Sequence, residues 1–170
     1  MRINRPVLLT ALLLTLSTSV QALPEDRNQP INVSADRASM NERTGVTVYT
    51  GDVEIIQGSM EIRGERVELH RASDGSIDRI ISTGKPAKFQ QQPSSEQPLT
   101  KAYGDKMDYR VKQQEITITE NARVDQAKDT FTGERIVYNM ERALVNAFGS
   151  DRKGGERVKM VIQPKPAEAN

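Results

Sequence analysis

The sequence predicts an all-β, antiparallel protein built from two stacked copies of one repeat. Three observations predict this fold class: the chain matches itself without gaps, apolar and polar residues alternate, and turn-forming residues recur at short intervals. No clear helical pattern follows the first 22 residues. The combination favours an extended β architecture over a compact catalytic domain.

The internal repeat has an offset of 69 positions. This shift places residues 64–67, Gly-Glu-Arg-Val, on residues 133–136, Gly-Glu-Arg-Ile. The match continues over about 35 residues and indicates one supersecondary unit used twice. Such a unit cannot bury its apolar face alone, so the two copies are expected to share one interior.

Residues 1–22 have the pattern of a cleaved signal peptide. Arg2 and Arg5 form a basic start, and residues 7–16 are apolar except for two threonines. Residues 20–22, Val-Gln-Ala, have the small-residue spacing that a signal peptidase reads. The apolar run is too short to span a bilayer comfortably, which disfavours the alternative of a retained membrane anchor.

The remaining chain is expected to be one all-β domain, residues 23–163, with a flexible tail at 164–170. Two of the 24 Lys and Arg residues lie in the signal segment, so the rest has 22 basic and 23 acidic residues, a net charge of −1. This balance provides no strong field for nucleic acid. The chain has no cysteine, so packing and backbone ladders must stabilise it.

After a polar leader that ends at Pro30, apolar and polar residues alternate in short runs. This pattern predicts short strands that have one buried face and one face in solvent. The apolar positions that define these strands lie in segments 31–35, 46–48, 53–55, 60–62, 67–69, 116–118, 136–138 and 158–162. Turn-forming residues interrupt them at 51–52, 57–59, 73–76, 84–86, 120–121 and 153–155. This spacing predicts about a dozen strands. The longest break, 90–98, is interpreted as a surface loop rather than a domain boundary, because each copy alone is too small to close a core.

No catalytic, metal or cofactor site is predicted. His70 is the only histidine and cysteine is absent, so nucleophilic or metal clusters lack partners. Most carboxylates alternate with apolar residues and are expected on the wet face. Gly64 and Gly133 are interpreted as places where strands bend or backbones approach closely.

The candidate binding surface is the apolar inward face of the strands. Its predicted members are Ile31, Val33, Val48, Val53, Ile55, Ile62, Val67, Leu69, Phe89, Tyr109, Ile116, Ile118, Val124, Phe131, Ile136 and Tyr138. Two interpretations remain open from the residues alone: an ordinary core, or a groove for acyl chains.

In an open sheet, the first and last predicted strands would be exposed edges. Segments 31–35 and 158–162 would each present unpaired backbone groups, with prolines lying just outside them at 30 and 164. Such edges favour strand addition. Pairing of the last strand with the first strand of another copy is a heterologous contact that grows rods.

Several motifs in order carry a family resemblance. They are Gln-Pro-Ile-Asn-Val-Ser-Ala-Asp at 29–36, Thr-Gly-Asp-Val at 50–53, Gly-Lys-Pro-Ala-Lys-Phe at 84–89, Met-Asp-Tyr at 107–109 and Gly-Glu-Arg-Ile-Val-Tyr at 133–138. With the signal segment, the chain resembles the LptA family of periplasmic lipopolysaccharide-transport bridge proteins, also called OstA-like, and its pseudomonad branch, LptH.

The resemblance implies a twisted, V-shaped β-jellyroll that is open at both ends. Members of the family bind the acyl chains of lipid A along the inner face. They join head to tail, and join LptC-like inner-membrane and LptD-like outer-membrane partners. Positions here that match groove-lining positions of the family include Ile31, Val33, Phe89, Tyr109 and Val111.

Three rival interpretations compete with this one. A membrane-anchored member of the same pathway would keep its N-terminal helix, and an outer-membrane translocon would need a barrel for which 170 residues leave no room. A secreted polysaccharide-binding or polysaccharide-cleaving β protein would use exposed aromatic residues. Four Tyr, three Phe and no Trp disfavour that alternative.

Overall fold

The computed structural model describes residues 26–92 and 94–163; the predicted signal peptide and tail lie outside them. Ten strands in this part of the chain form one antiparallel sheet, which confirms the predicted fold class. The strands are β1 (Asn32–Ser34), β2 (Arg37–Asn41), β3 (Val46–Gln57), β4 (Met60–Arg71), β5 (Ile77–Gln91), β6 (Thr100–Arg110), β7 (Glu115–Gln126), β8 (Asp129–Asn139), β9 (Leu144–Phe148) and β10 (Lys159–Val161).

The order across the sheet is β1-β3-β4-β5-β6-β7-β8-β10, with β2 also beside β3 and β9 also beside β8. A 3-10 helix, Asp26–Asn28, precedes the first strand. Within the described residues, no helix has the length and apolar character needed to cross a membrane. Of the predicted loop 90–98, Gln90 and Gln91 belong to β5, and Gln91 pairs with Thr100 of the neighbouring strand β6.

The structure has fewer strands than the dozen predicted, because several predicted turns lie inside long strands. Residues 51–52 belong to β3, residues 84–86 to β5 and residues 120–121 to β7. Strand pairing shifts register at each of these places. A β-bulge adds one or more residues to one strand of a pair and bends that strand. The turn-forming residues therefore mark bends, not strand ends.

The repeat predicted from the sequence is visible in the strand pairing. β3 and β7 begin and end 69 positions apart, and the bulge between Thr50 and Val53 recurs between Thr119 and Ala122. The first copy consists of β1 and β2, β3, β4 and β5. The second consists of β6, β7, β8 and the pair β9 and β10. Each copy is thus a four-strand unit. The outermost strand at each edge of the sheet is divided into two segments, β1 and β2 at one edge and β9 and β10 at the other.

The bulges fold the sheet into a V. Phe89 pairs with Ala102 of β6, and Tyr109 lies seven residues further along β6. Along a flat strand that separation would be about 23 Å, yet the rings of Phe89 and Tyr109 have centroids 5.5 Å apart. The two halves of each long strand therefore face each other, and we call the two sides of the V leaf A and leaf B.

Leaf A comprises residues 53–57, 60–64, 87–91, 100–104, 122–126 and 129–133 with β1 and β10. Leaf B comprises residues 46–50, 66–71, 77–83, 106–110, 115–119 and 135–139 with β2 and β9.

The bends between the leaves require glycine where backbones come close. A Cβ atom added at Gly64 would lie 2.8 Å from the carbonyl oxygen of Thr83, and one at Gly133 would lie 2.7 Å from that of Phe148. Real Cβ atoms avoid such distances, so only glycine fits without a shift of the neighbouring strand. Glycine is therefore required at the equivalent position of each copy for the same steric reason.

Candidate functional site

A buried apolar cluster lies between leaf A and leaf B, and we call the space that it lines the groove. Twelve of the sixteen residues predicted for the inward face belong to one buried cluster: Val53, Ile55, Ile62, Val67, Leu69, Phe89, Tyr109, Ile116, Ile118, Val124, Ile136 and Tyr138. Ile31, Val33 and Phe131 are partly buried and pack against this cluster, as does Val111. Strands of both copies therefore contribute to a single interior.

Val48 does not face the interior, which corrects the prediction for that residue. Its neighbour Thr47 is buried and its neighbour Tyr49 packs against the buried cluster. Because side chains alternate along a strand, Val48 points to the outer face. It lines a shallow depression there with Arg37 and Arg66. The apolar triplet 46–48 places two valines around Thr47, and hydrophobicity alone selects the wrong face.

Further members of the cluster were missed by the sequence analysis. They are Met60, Ile80, Ala87, Ala102, Met107, Ala122 and Met140. In β6 the buried positions change from Ala102 and Gly104 to Met107 and Tyr109, because the bulge between Tyr103 and Lys106 reverses the alternation. Strict alternation cannot follow a strand through such a bend.

One mouth of the groove opens into a cavity of about 460 Å³. Gln29, Ile31 and Gln57 line it from the side of leaf A. The opposite wall is formed by Ile77 and Ile80 of leaf B, and by Val111, which follows β6. This volume lies within the range of about 300–1,000 Å³ that is typical of small-ligand pockets. The cavity therefore adjoins the apolar interior, to which Ile80 belongs.

Asp26 fixes the chain segment that forms this mouth. Its Oδ1 accepts a hydrogen bond from the backbone N of Ser59 at 2.7 Å. Its Oδ2 accepts from the Ser59 hydroxyl at 2.7 Å and from Gln91 Nε2 at 2.8 Å. Gln57 Nε2 also donates to the carbonyl oxygen of Gln29 at 3.0 Å. These bonds hold the residues before β1 against the end of leaf A, with Ile31 at the entrance.

Tyr138 joins the leaves further along the groove. Its side chain is completely buried in leaf B. Gln126 Nε2 of leaf A donates a hydrogen bond to Tyr138 Oη at 3.1 Å, and the hydroxyl of buried Thr100 lies 3.3 Å from the same oxygen. A polar contact inside an apolar interior resists separation of the two leaves.

Charged residues lie on the outer face of the sheet. Arg79 Nε donates to Asp108 Oδ1 at 2.7 Å, and this hydrogen bond lowers the pKa of Asp108. His70 lies near the end of β4, partly exposed, with its Nε2 atom 3.3 Å from Glu68 Oε2. Among residues 26–92 and 94–163, no group of three or more His, Cys, Asp and Glu residues is placed to hold a metal ion.

The two edges of the sheet expose large apolar side chains. Met40 of β2 is 51 % exposed at the first edge. Met160 of β10 is 51 % exposed at the last edge, and Val161 and Ile162 are also exposed there. The predicted edge segments contain β1 and β10, but β2 and β9 are additional edge strands that the sequence analysis missed.

Comparison with known proteins places this architecture in a family. Residues 32–143 match the sequence model of the family described as LptA/(LptD N-terminal domain) LPS transport protein. The lipopolysaccharide export system protein LptH of Pseudomonas aeruginosa is 43 % identical over 153 residues, which cover 88 % of this chain and 87 % of LptH. The corresponding LptA of Escherichia coli K12 is 28 % identical over 164 residues, covering 96 % and 86 % of the two chains.

A solved structure agrees with these relatives. The crystal structure of LptH, described as the LptA homologous periplasmic component of the lipopolysaccharide transport device from Pseudomonas aeruginosa, superposes with a TM-score of 0.75. The match has 41 % sequence identity and covers 83 % of this chain and all of that one. The chain therefore belongs to the LptA/LptD N-terminal domain family of lipopolysaccharide transport proteins.

Proposed function

We propose that this protein is a periplasmic carrier that binds lipopolysaccharide by the acyl chains of lipid A and passes it from the inner to the outer membrane. The observation that carries the proposal is the apolar groove between the leaves, with its open mouth at Ile31. Each CH₂ group transferred from water into such a groove contributes about 0.8 kcal/mol. Carriage of this kind requires no chemical step.

Export to the periplasm is supported by the signal-like pattern of residues 1–22. It is also supported by the similarity to LptH, whose solved structure is described as that of a periplasmic component. The absence of cysteine means that folding in that oxidising compartment does not depend on disulfides.

We propose that partner domains bind at the two open edges of the sheet. β1 and β2 at one end, and β9 and β10 at the other, are hydrogen-bonded on one side only within the described sheet. Edges of this kind accept further strands. They would join copies head to tail and would join LptC-like and LptD-like domains of the two membranes, so that one groove continues across the periplasm.

A charge at the mouth of the groove tests the proposal. Ile31→Asp should weaken binding of purified lipopolysaccharide by at least about tenfold, because losing two buried CH₂ contacts alone costs about 1.6 kcal/mol. Val48→Asp, on the outer face, is the matched control and should bind normally. Fluorescence titration with labelled lipopolysaccharide measures both. Equal affinities of the two variants would contradict binding in the groove.

A further inference from the structure

The two edges of the sheet have matching segment lengths. At the first edge, β1 has three residues and β2 has five. At the last edge, β10 has three residues and β9 has five. β1 and β10 belong to leaf A, and β2 and β9 belong to leaf B. Each edge therefore offers one short and one longer segment at the same places in the V.

The repeat identifies β9 and β10 as the two halves of a strand equivalent to β5. Val145 pairs with Tyr138 as Ile80 pairs with Leu69. Met160 pairs with Phe131 as Phe89 pairs with Ile62. Leu69 and Tyr138, and Ile62 and Phe131, are separated by the 69-residue offset of the repeat. The loop 149–158 replaces the four residues 84–87 of β5.

The junction between the two copies inside one chain supplies a template. There, the last strand of the first copy, β5, pairs with the first strand of the second copy, β6. Ile80 lies opposite Tyr109, and Phe89 lies opposite Ala102. Subtracting the 69-residue offset places Tyr109 on Met40 and Ala102 on Val33. The same relation can therefore be applied between the last edge of one chain and the first edge of the next.

We propose that a second copy adds to this edge in the register of the internal junction, with Val145 opposite Met40 and Met160 opposite Val33 of the next copy. The inference rests on the head-to-tail assembly proposed above and specifies its register. In this register all five residues of β9 face the five of β2, from Leu144 with Asn41 to Phe148 with Arg37. All three residues of β10 face the three of β1.

The side chains at the proposed junction agree with this register. Met40 lies opposite buried Thr47 on the groove side, and Met160 lies opposite Phe131, which packs against the buried cluster. Directly opposite residues share a face, so the junction covers these two exposed methionines and continues the apolar interior. On the outer face, Arg37 would approach the Phe148 ring, over which Arg135 lies at 3.9 Å in the same chain.

The chain contains no native cysteine, so paired cysteines can test the register directly. Separate whole chains carrying one cysteine each are mixed and oxidised with copper phenanthroline, and disulfide-linked dimers are read on a non-reducing gel. Val145→Cys with Met40→Cys, and Ala147→Cys with Ala38→Cys, are opposite pairs. Their Cα atoms would lie about 4.5–5.5 Å apart, which a disulfide can bridge.

The exchanged pairs are the matched controls. Val145→Cys with Ala38→Cys, and Ala147→Cys with Met40→Cys, use the same four positions displaced by two residues, beyond the reach of a disulfide. We expect reductant-sensitive dimers from the opposite pairs and none from the exchanged pairs. Dimers from an exchanged pair would show a slipped register and overturn the proposal.

Two further measurements separate this proposal from the proposed function. Lipopolysaccharide binding of the unsubstituted chain and circular dichroism of each reduced variant are measured in parallel, and Met160→Cys with Val33→Cys gives a third opposite pair, on leaf A. If the variants fold and the unsubstituted chain binds lipopolysaccharide but none of the opposite pairs crosslinks, the register is overturned while carriage stands. If lipopolysaccharide does not bind but the opposite pairs crosslink, the register stands and carriage fails.

Discussion

At the residue scale, Tyr138 connects the leaves of the groove through one hydroxyl group. Tyr138→Phe removes the acceptor of Gln126 Nε2 and leaves the buried Thr100 hydroxyl without this contact. A hydrogen bond of this kind contributes about 1 kcal/mol. We therefore expect the free energy of unfolding in urea to fall by about 1–2 kcal/mol. Tyr103→Phe on the outer face is the control, and a fall of the same size there would contradict a special role for Tyr138.

The pair Arg79–Asp108 gives the outer face a pH-dependent contribution. Because the pKa of Asp108 is lowered in the folded protein, its stabilisation is fully present above the ordinary aspartate pKa of about 3.9. It is lost as the pH falls through the lower folded value. Arg79→Met should therefore reduce the unfolding free energy by about 1 kcal/mol or less at pH 7, and the difference should shrink in acid. A difference that persists or grows in acid would contradict the pairing.

At the element scale, β10 belongs to the edge rather than to the body of the fold. Among the residues that the structure describes, it pairs with β8 alone, over three residues, and all three are exposed. Deleting residues 158–170 should therefore change monomer stability little. The same deletion should abolish concentration-dependent association, which light scattering measures. Unchanged oligomers after the deletion, or a strict monomer before it at every concentration, would contradict edge-to-edge assembly.

The long strands show what sequence can and cannot predict about this fold. The repeat predicts that the two copies have equivalent strands, and the pairing of β3 with β4 does recur as the pairing of β7 with β8. The bulge at Gly51 and Asp52 has the composition of a turn, and local chemistry alone does not distinguish the two. Only the neighbouring strand β4, which stays paired with β3 on both sides of the shift in register, makes it a bend.

At the scale of the whole molecule, the groove depends on folding the sheet over itself. Sequence patterning predicted most of the buried apolar cluster, since Ile116, Ile118 and Ile136 follow simple alternation. It failed at Val48, where threonine rather than valine is buried, and at Met107, where the bulge reverses the alternation. Contacts across the groove, such as Phe89 with Tyr109, join positions that no local pattern relates.

The central claim is that the interior of the V, and not its outer face, holds the acyl chains of lipopolysaccharide. A photoreactive amino acid placed at single positions in cells tests this claim most directly. Substitutions at Ile31 and Phe131, which are partly buried against the cluster, should give lipopolysaccharide adducts on illumination. Substitutions at Val48 and Tyr103 on the outer face should give none. Adducts from the outer positions alone, with folded protein at all four, would contradict the account.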